Sequence, residues 1–397
     1  MFLNALTKQN PALIDGAIKL LQDGLILPDT YVIDVDQFKE NARLIKAKAD
    51  EHGIRLYAMT KQFGRNPVLA RMLVNELGYD GIVCVDYKEA RQLHQAGTKI
   101  GHVGHLVQPP SHYIPFIVSK IRPEVITVYS IEKAREISVA AQKANREQSV
   151  LLKFFRSNDQ LYTNQEAGFP IESLEDIFAQ VAALPNIHIE GLTHFPCFLF
   201  NSKTQSTEAT ANIETVNVAH RQASELGYQL SQINCPSATS CETIETIKQF
   251  GGTHGEPGHA LTGTTPANQD GNQPEKIAML YISEVSHHFD GKSYCYGGGY
   301  YRRSQLSNAL IRETTKANTS EIIARDKIVN ISNEDESNID YYLKFDYPCA
   351  IGTPVVMAFR TQIFVTRSDV ALVEGLSGNS PRLLGLFDAQ GNEVTHG

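Results

Sequence analysis

Tyr57-Ala58-Met59-Thr60-Lys61-Gln62-Phe63-Gly64 is the stretch on which the reading of the chain turns. Apolar, β-prone residues run into a lysine, and a glycine three positions later lets the backbone turn away. Lys61 therefore falls just past the carboxyl end of an expected strand. An amine at the mouth of an apolar strand is partly desolvated, which lowers its pKa and favours the neutral form that a Schiff-base lysine needs. An ordinary loop lysine is the competing reading of the octapeptide taken alone, so the surrounding chain has to decide.

Short apolar runs bounded by turn residues recur at 54–59, 81–85, 99–105, 124–128, 149–154, 187–194, 229–236 and 252–256. Segments of helical character lie between them, as at 66–76, 87–96, 131–144, 174–183, 208–226 and 242–250. Strands separated by helices imply right-handed βαβ crossovers and a parallel sheet. Eight such units over about two hundred residues predict an α/β fold built on a closed (β/α)8 TIM-type barrel. A doubly wound open sheet is the alternative. In either architecture ligands bind at the carboxyl ends of the strands, and the chemically suggestive residues fall there. Lys61 follows the first run, His105 ends the third, His194 ends the sixth, Ser237 follows the seventh and Glu256 ends the eighth. At strand starts these residues would read as structural; at strand ends they point to one shared site.

Upstream, residues 10–24 carry helical periodicity through Leu13, Ile14, Ala17, Ile18 and Leu21, and Pro28 precedes the apolar Tyr31-Val32-Ile33-Asp34-Val35. A long helical pattern covers 36–52. Beyond about residue 265 the pattern changes to β-type runs at 277–286, 294–296, 354–366 and 370–374, with a charged, solvated insertion at 325–340. The expected organisation is a helical lead-in over 1–30 that packs with the C-terminal domain, a barrel over 31–265, and a C-terminal β-rich domain over 266–397.

A 397-residue chain with 42% hydrophobic residues can bury a sizeable core. Thirty-six basic against forty-four acidic residues give a net charge of -8, and no basic cluster is interleaved with aromatics, so small molecules are the expected partners rather than nucleic acid. The six cysteines (Cys84, Cys197, Cys235, Cys241, Cys295, Cys349) lack CxxC spacing, which argues against a zinc knuckle and against a disulfide framework. The N-terminus lacks the charged start and apolar run of a secretion signal, and no stretch reaches the roughly 18 consecutive apolar residues of a membrane span. The expectation is a cytoplasmic protein with no membrane partner and no metal site.

Two loops are rich in small residues. Gly255-Glu256-Pro257-Gly258-His259-Ala260-Leu261-Thr262-Gly263 allows close backbone approach and could point free amides at a phosphate, and Cys235-Pro236-Ser237-Ala238-Thr239-Ser240 precedes it. Ordinary βα turns are the competing reading. In Gly191-Leu192-Thr193-His194-Phe195-Pro196 the imidazole could lie flat against a planar heterocycle or be a hydrogen-bonded core histidine. Glu256 could pair with a protonated ring nitrogen or cap a helix. Arg65 and Arg156 could clamp a carboxylate or sit on the surface.

The combination of a strand-end lysine, Thr-His-Phe, a Ser-rich seventh loop, a Gly-rich eighth loop and a trailing β domain resembles the alanine racemase-like (fold type III) pyridoxal-phosphate enzymes. Met59–Pro67, His194–Cys197, Pro236–Cys241, Glu256–Gly263 and Ser293–Arg303 look like the YhfX group within that family, and the resemblance covers essentially the whole chain. It implies pyridoxal 5'-phosphate as cofactor, with Lys61 forming the internal Schiff base and His194 stacking on the pyridine ring. Ser237, Thr239, Ser240, Gly258 and His259 line up with loops that hold the phosphate. Glu256 stands where alanine racemases place an arginine against the ring nitrogen. It does so in the Glu-Pro-Gly form of the ornithine decarboxylase-like branch, and His259 replaces that branch's arginine. Arg65 stands where the racemases carry a tyrosine four positions after the lysine.

The resemblance further implies a homodimer and a small amino-acid substrate. Tyr296, in Tyr294-Cys295-Tyr296-Gly297-Gly298-Gly299, would be offered across the dimer interface as the acid/base on the face opposite Lys61. Cys295 competes for that role, and a packed β-turn is the bland alternative. The activity implied is an amino-acid racemase removing and returning the Cα proton with two bases. A lyase (decarboxylase, D-amino-acid dehydratase or aldolase) is the alternative, although the paired Cys/His motif of the D-serine dehydratase-like relatives is missing. A non-catalytic carrier of pyridoxal phosphate is the third reading, and a second domain of about 130 residues argues against it.

Overall fold

Each of the eight apolar runs coincides with a strand to within a few residues. They are Arg55–Met59, Gly81–Val83, Ile100–Val103, Val125–Val128, Gln148–Leu152, Ile187–Thr193, Gln232–Asn234 and His254–Gly255. They are buried along almost their whole length, which is why they read as continuous apolar stretches rather than as alternations. In the computed structural model, which describes residues 1–301, 303–316, 322–332, 339–378 and 380–395, these strands form a closed parallel barrel. Gln232 is in register with Gly191, Asn234 with His254, and His254 with Arg55, so the seventh and eighth strands close the sheet onto the first. The open-sheet alternative is thereby set aside.

Small residues make the closure possible at two places. A methyl group on Gly191 would lie 1.7 Å from the Gln232 carbonyl oxygen, and one on Gly101 would lie 2.3 Å from the Tyr57 ring, so the sixth strand approaches the seventh closely and the Tyr57 ring has room inside. Helices Val35–His52, Tyr87–Gln95, Ile131–Lys143, Leu174–Ala182, Ala211–Glu225 and Ile244–Gln249 fall where helical patterns are expected. The fifth in this series starts at Ala211 rather than near 208, because Ser206–Ala209 pairs instead with Phe198–Asn201 in an antiparallel hairpin.

The chain divides into two compact units. One is Ala42–Thr60 with Pro67–Gly258, and the other is Met1–Asn41, Lys61–Asn66 and His259–Gly397. The first holds the barrel. The second is built on a nine-stranded sheet, in the order Lys292–Tyr296, Tyr342–Phe345, Ile322–Ser332, Asn308–Lys316, Pro354–Met357, Met279–Phe289, Thr30–Asp34, Asp369–Glu374 and Arg382–Phe387. Thr30–Asp34 thus differs from its expected place at the head of the barrel. It pairs antiparallel with Met279–Phe289 and parallel with Asp369–Glu374, and all five of its residues are buried.

Helices Leu3–Gln9 and Pro11–Gln22 pack their apolar faces on this sheet, with Leu13, Ile14, Ala17 and Leu20 against Val32, Leu280, Val356 and Ala371. Asn10 joins them: its Oδ1 accepts from Leu13 N, and its Nδ2 donates to Asp34 Oδ2 at 2.9 Å and to Ile277 O at 3.0 Å. The expected solvated insertion over 325–340 is in part a strand, since Ile322–Ser332 pairs along its length with Asn308–Lys316 and buries Val329 and Ile331; residues 333–338 lie outside the described residues. No described helix is long and apolar enough to cross a membrane.

Candidate active site

Glu256 follows directly on the eighth barrel strand, and its carboxylate is buried at 2% exposure among side chains from three other strands. Oε1 accepts from Asn234 Nδ2 at 2.8 Å and from His102 Nδ1 at 2.9 Å. His102 Nε2 lies 2.6 Å from Thr127 Oγ1, and the Glu256 amide donates to Thr239 Oγ1 at 2.9 Å. His105 Nε2 is 3.9 Å from Oε2. Burial pushes the Glu256 carboxyl up, but the imidazoles of His105 and His102 and the Asn234 amide outweigh it, so the group sits below the ordinary carboxylate range and is ionised. An acceptor-only carboxylate requires the proton of His102 on Nδ1. Oε2 has no hydrogen-bond partner among the described residues.

His194 follows the sixth strand and is fully buried. Its Nε2 lies 2.9 Å from Asp159 Oδ2, whose side chain is also fully buried, and its Nδ1 accepts from the Phe195 amide at 2.7 Å. Both ring nitrogens are therefore engaged in the ring plane, with the proton on Nε2, and only the faces of the imidazole can meet a ligand. Asp159 is itself held by Thr215 Oγ1 at 2.6 Å and by the Arg156 amide at 2.8 Å, while Gln160 and Asn212 exchange hydrogen bonds, so the loop after the fifth strand is fastened to helix Ala211–Glu225. Burial lowers the His194 pKa further than Asp159 raises it. Lys153, at the end of the fifth strand, is a buried lysine that the sequence reading missed; burial brings its amine down to about 8 against the opposing pull of Cys197 and Asp159.

The seventh loop turns through two left-handed residues. Ser237 and Ala238 lie in the left-handed region at φ 90° and 50°. The Ser237 hydroxyl accepts from Phe198 N and donates to Phe198 O, the Thr239 hydroxyl serves the Glu256 amide, and the Ser240 amide donates to Thr243 Oγ1. The hydroxyls of Ser237 and Thr239 thus shape this loop.

In the other unit, Lys61 opens a short 3-10 turn, Lys61–Phe63. Phe63 packs edge-on against Phe38 at 5.2 Å, and Thr361 Oγ1 donates to Gln62 O. Gly64 turns at φ 75°, where a methyl group would press on Ile363 and Val370, so the glycine required by the sequence reading is required here too. His259 opens the turn His259–Thr262, and its Nδ1 lies 3.2 Å from Thr264 Oγ1. Arg65 is buried, with Nη1 on Gln390 Oε1 and its guanidinium over the Phe364 ring. Arg156 is tied to Thr215 and Glu214. Tyr296 ends the strand Lys292–Tyr296 and is 37% exposed beside Tyr342. Cys295 points into the core, and burial pushes its thiol up to about 12.

The barrel unit thus gathers Glu256, Ser237, Thr239, Ser240 and Gly258 with His194 at its strand ends, while Lys61, His259 and Tyr296 belong to the other unit. His102, Asn234 and Asp159 were missed from the sequence; the one available signal was that His102 is a polar residue inside an otherwise apolar strand. All six cysteines are free thiols, and no group of three or more His, Cys, Asp or Glu side chains among the described residues is placed to hold a metal ion.

The family described as alanine racemase, N-terminal domain, matches residues 33–266, and that described as YhfX-like, C-terminal domain, matches residues 280–383. The chain is 50% identical over 394 residues to the uncharacterized protein YhfX of Escherichia coli (strain K12), covering 99% of this chain and 100% of that protein. Among solved structures it is similar to D-threonine aldolase from Filomicrobium marinum, at TM-score 0.67 and 14% identity over 91% of this chain and 95% of that one. It is similar to alanine racemase of Clostridium difficile 630, at 0.63 and 16% over 91% and 99%. It is also similar to D-threo-3-hydroxyaspartate dehydratase from Delftia sp. HT23, at 0.64 and 15% over 94% and 98%. At these identities the likeness is one of fold. With a barrel matched over residues 33–266 and a β-rich region matched over 280–383, the chain belongs to the alanine racemase family, as a member with a YhfX-like C-terminal domain.

Proposed function

We propose that the protein is a cytoplasmic, homodimeric pyridoxal-phosphate enzyme acting at Cα of a small amino acid, and that the reaction is racemisation. One observation carries the cofactor reading. Glu256 is a buried, ionised carboxylate with Oε2 lacking a hydrogen-bond partner among the described residues, and it fits a protonated ring nitrogen. His194, with both nitrogens engaged, offers its face to a flat ring. Lys61 would hold the cofactor's aldehyde carbon, and the small-residue loops at 237–240 and 258–259 would hold its phosphate. Pyridoxal phosphate, when bound, supplies the electron sink for charge that develops at Cα.

The protein's own part is to orient groups and move protons. Lys61 Nζ takes the Cα proton on one face, and Tyr296 Oη returns one on the other. Two groups are required because a planar carbon reprotonated from its original side regenerates the starting enantiomer. Cys295 is a poor rival, since a buried thiol near 12 neither accepts nor releases a proton near neutrality.

A lyase is the second reading, favoured by the ionised Glu256. A protonated ring withdraws electrons more strongly than one facing a cation, which suits cleavage of bonds other than Cα–H as well. The deciding experiment is proton NMR of the pyridoxal-phosphate-loaded protein in deuterated buffer with a panel of L- and D-amino acids. Loss of the Cα proton signal with inversion is the expected result. Conversion to a new product would favour the lyase, and no exchange with any amino acid would remove both.

A further inference from the structure

Tyr296, to which a returned proton is assigned above, is half-exposed beside Tyr342, and three glycines follow it. A phenol on so pliant a stretch delivers a proton to one carbon only if the backbone behind it is fixed. The sheet does part of this, since Tyr296 pairs with Tyr342 and its carbonyl accepts from Ser283 Oγ at 2.7 Å. Beyond Tyr296 the strand ends, and the chain is held by other means.

Asp340 supplies them. Its Oδ2 accepts from Gly298 N at 2.9 Å and from Tyr300 N at 2.8 Å, so two amides of the turn converge on one carboxylate oxygen. Gly297 N donates to Tyr341 O at 2.9 Å, Arg367 N to Gly298 O at 3.3 Å and Tyr31 Oη to Gly299 O at 2.6 Å. Asp340 is itself braced by Arg367, whose Nη1 donates to Oδ1 at 3.1 Å and whose Nη2 donates to the Asp340 carbonyl at 2.6 Å, with the guanidinium over the Tyr341 ring. The turn fits closely: a methyl group on Gly297 would overlap the Asp340 carbonyl, and one on Gly298 would overlap the Asp29 carboxylate.

Among the described residues the Asp340 side chain bonds to Gly298, Tyr300 and Arg367, none of which lies in a strand. Its removal therefore frees the turn and leaves the sheet paired. Bonds from amides to a carboxylate are charge-assisted and stronger than neutral ones, so losing Asp340 loosens the turn more than losing a neutral partner would.

We infer that Asp340, braced by Arg367, is a positioning residue for Tyr296: by fastening the glycine turn it fixes how far the phenol reaches toward the reacting carbon. This role rests on the reading of Tyr296 as a proton carrier, whereas the fastening of the turn does not.

The test uses Asp340→Ala, Asp340→Asn and Tyr296→Phe in the full-length chain. Each protein, loaded with pyridoxal phosphate, is given the L- and D-forms of each amino acid separately in deuterated buffer, and loss of the Cα proton is followed by proton NMR. With one base on each face, each enantiomer exchanges through one of them, and Tyr296→Phe identifies the enantiomer that Tyr296 serves. Asp340→Ala should slow that enantiomer at least about tenfold and leave the other within about twofold. Asp340→Asn, which keeps an acceptor for the two amides, should recover part of the loss. A role confined to folding would slow both enantiomers alike, so equal slowing, or wild-type rates for both, overturns the positioning role. On the unloaded protein, amide exchange over residues 297–301 should quicken at least about tenfold in Asp340→Ala with residues 342–345 unchanged, and wild-type protection there overturns the fastening itself. If the wild-type protein exchanges neither enantiomer of any amino acid, or if Tyr296→Phe slows neither, the reading of Tyr296 fails and the positioning role falls with it, while amide exchange still decides the fastening. Should Asp340→Ala not fold, Arg367→Met, at a half-exposed side chain, takes its place in every arm with the same asymmetry expected.

Discussion

Replacing His102 by leucine tests whether Glu256 is held as an ion. The change removes the donor to Glu256 Oε1 at 2.9 Å and the partner of Thr127 Oγ1 at 2.6 Å, while an apolar side chain of similar size limits any cavity. A hydrogen bond to a charged acceptor is worth about 2 kcal/mol and a neutral one about 1 kcal/mol, so the substitution should cost roughly 3 kcal/mol of stability. In a Glu256→Gln background the first bond becomes neutral, and the same substitution should cost roughly 2 kcal/mol, leaving a coupling of about 1 kcal/mol between the two sites. The assay is urea unfolding of the four apoproteins near pH 7.5, followed by far-ultraviolet circular dichroism and by tyrosine fluorescence, since the chain has no tryptophan. Coincident transitions are required before free energies are compared. An equal cost in both backgrounds, or no cost at all, would refute the claim that His102 serves a charged Glu256.

Asp159→Asn should weaken the fastening of the loop after the fifth strand by about 2 kcal/mol, because the buried His194 loses a charged acceptor. Faster amide exchange across residues 156–162, with the rest of the barrel unchanged, is the expected readout, and wild-type protection there would contradict it. Gly191→Ala should cost at least about 3 kcal/mol or prevent folding, since its methyl group would overlap the Gln232 carbonyl and must push the sixth and seventh strands apart; a midpoint near wild type in thermal unfolding would contradict this. Two groups should give pH dependences of opposite sign. His254 is brought down to about 4, first by burial, against an unfolded value near 6.5, so its contribution is present above pH 6.5 and lost as pH falls toward 4; His254→Gln should flatten that limb of a stability profile. Asp29 is raised to about 7, chiefly by burial, so its contribution is present below pH 3.8 and lost as pH rises through 7. Asp29→Asn should flatten the opposite limb, each group changing stability by at most about 1.4 kcal/mol per pH unit.

What the sequence determined by itself was the barrel and the strand ends of the candidate site. Buried parallel strands carry unbroken apolar runs, helices carry a 3.6-residue period, and both are local patterns that survive without any knowledge of neighbours. His194, Ser237 and Glu256 could be placed for the same reason, since a residue just after such a run sits at the ligand-binding end of a parallel sheet. Thr30–Asp34 shows the limit. Its five buried residues look like a barrel strand, but the choice between two sheets is made by partners at Met279–Phe289 and Asp369–Glu374 far along the chain. The groups that tune the site were decided only by tertiary structure. His102 meets Glu256 across 154 positions, and Asp159 meets His194 across 35. No periodicity encodes such meetings. They depend on how far each strand is shifted against the next, and that shift is set by close packing across the whole barrel and sheet.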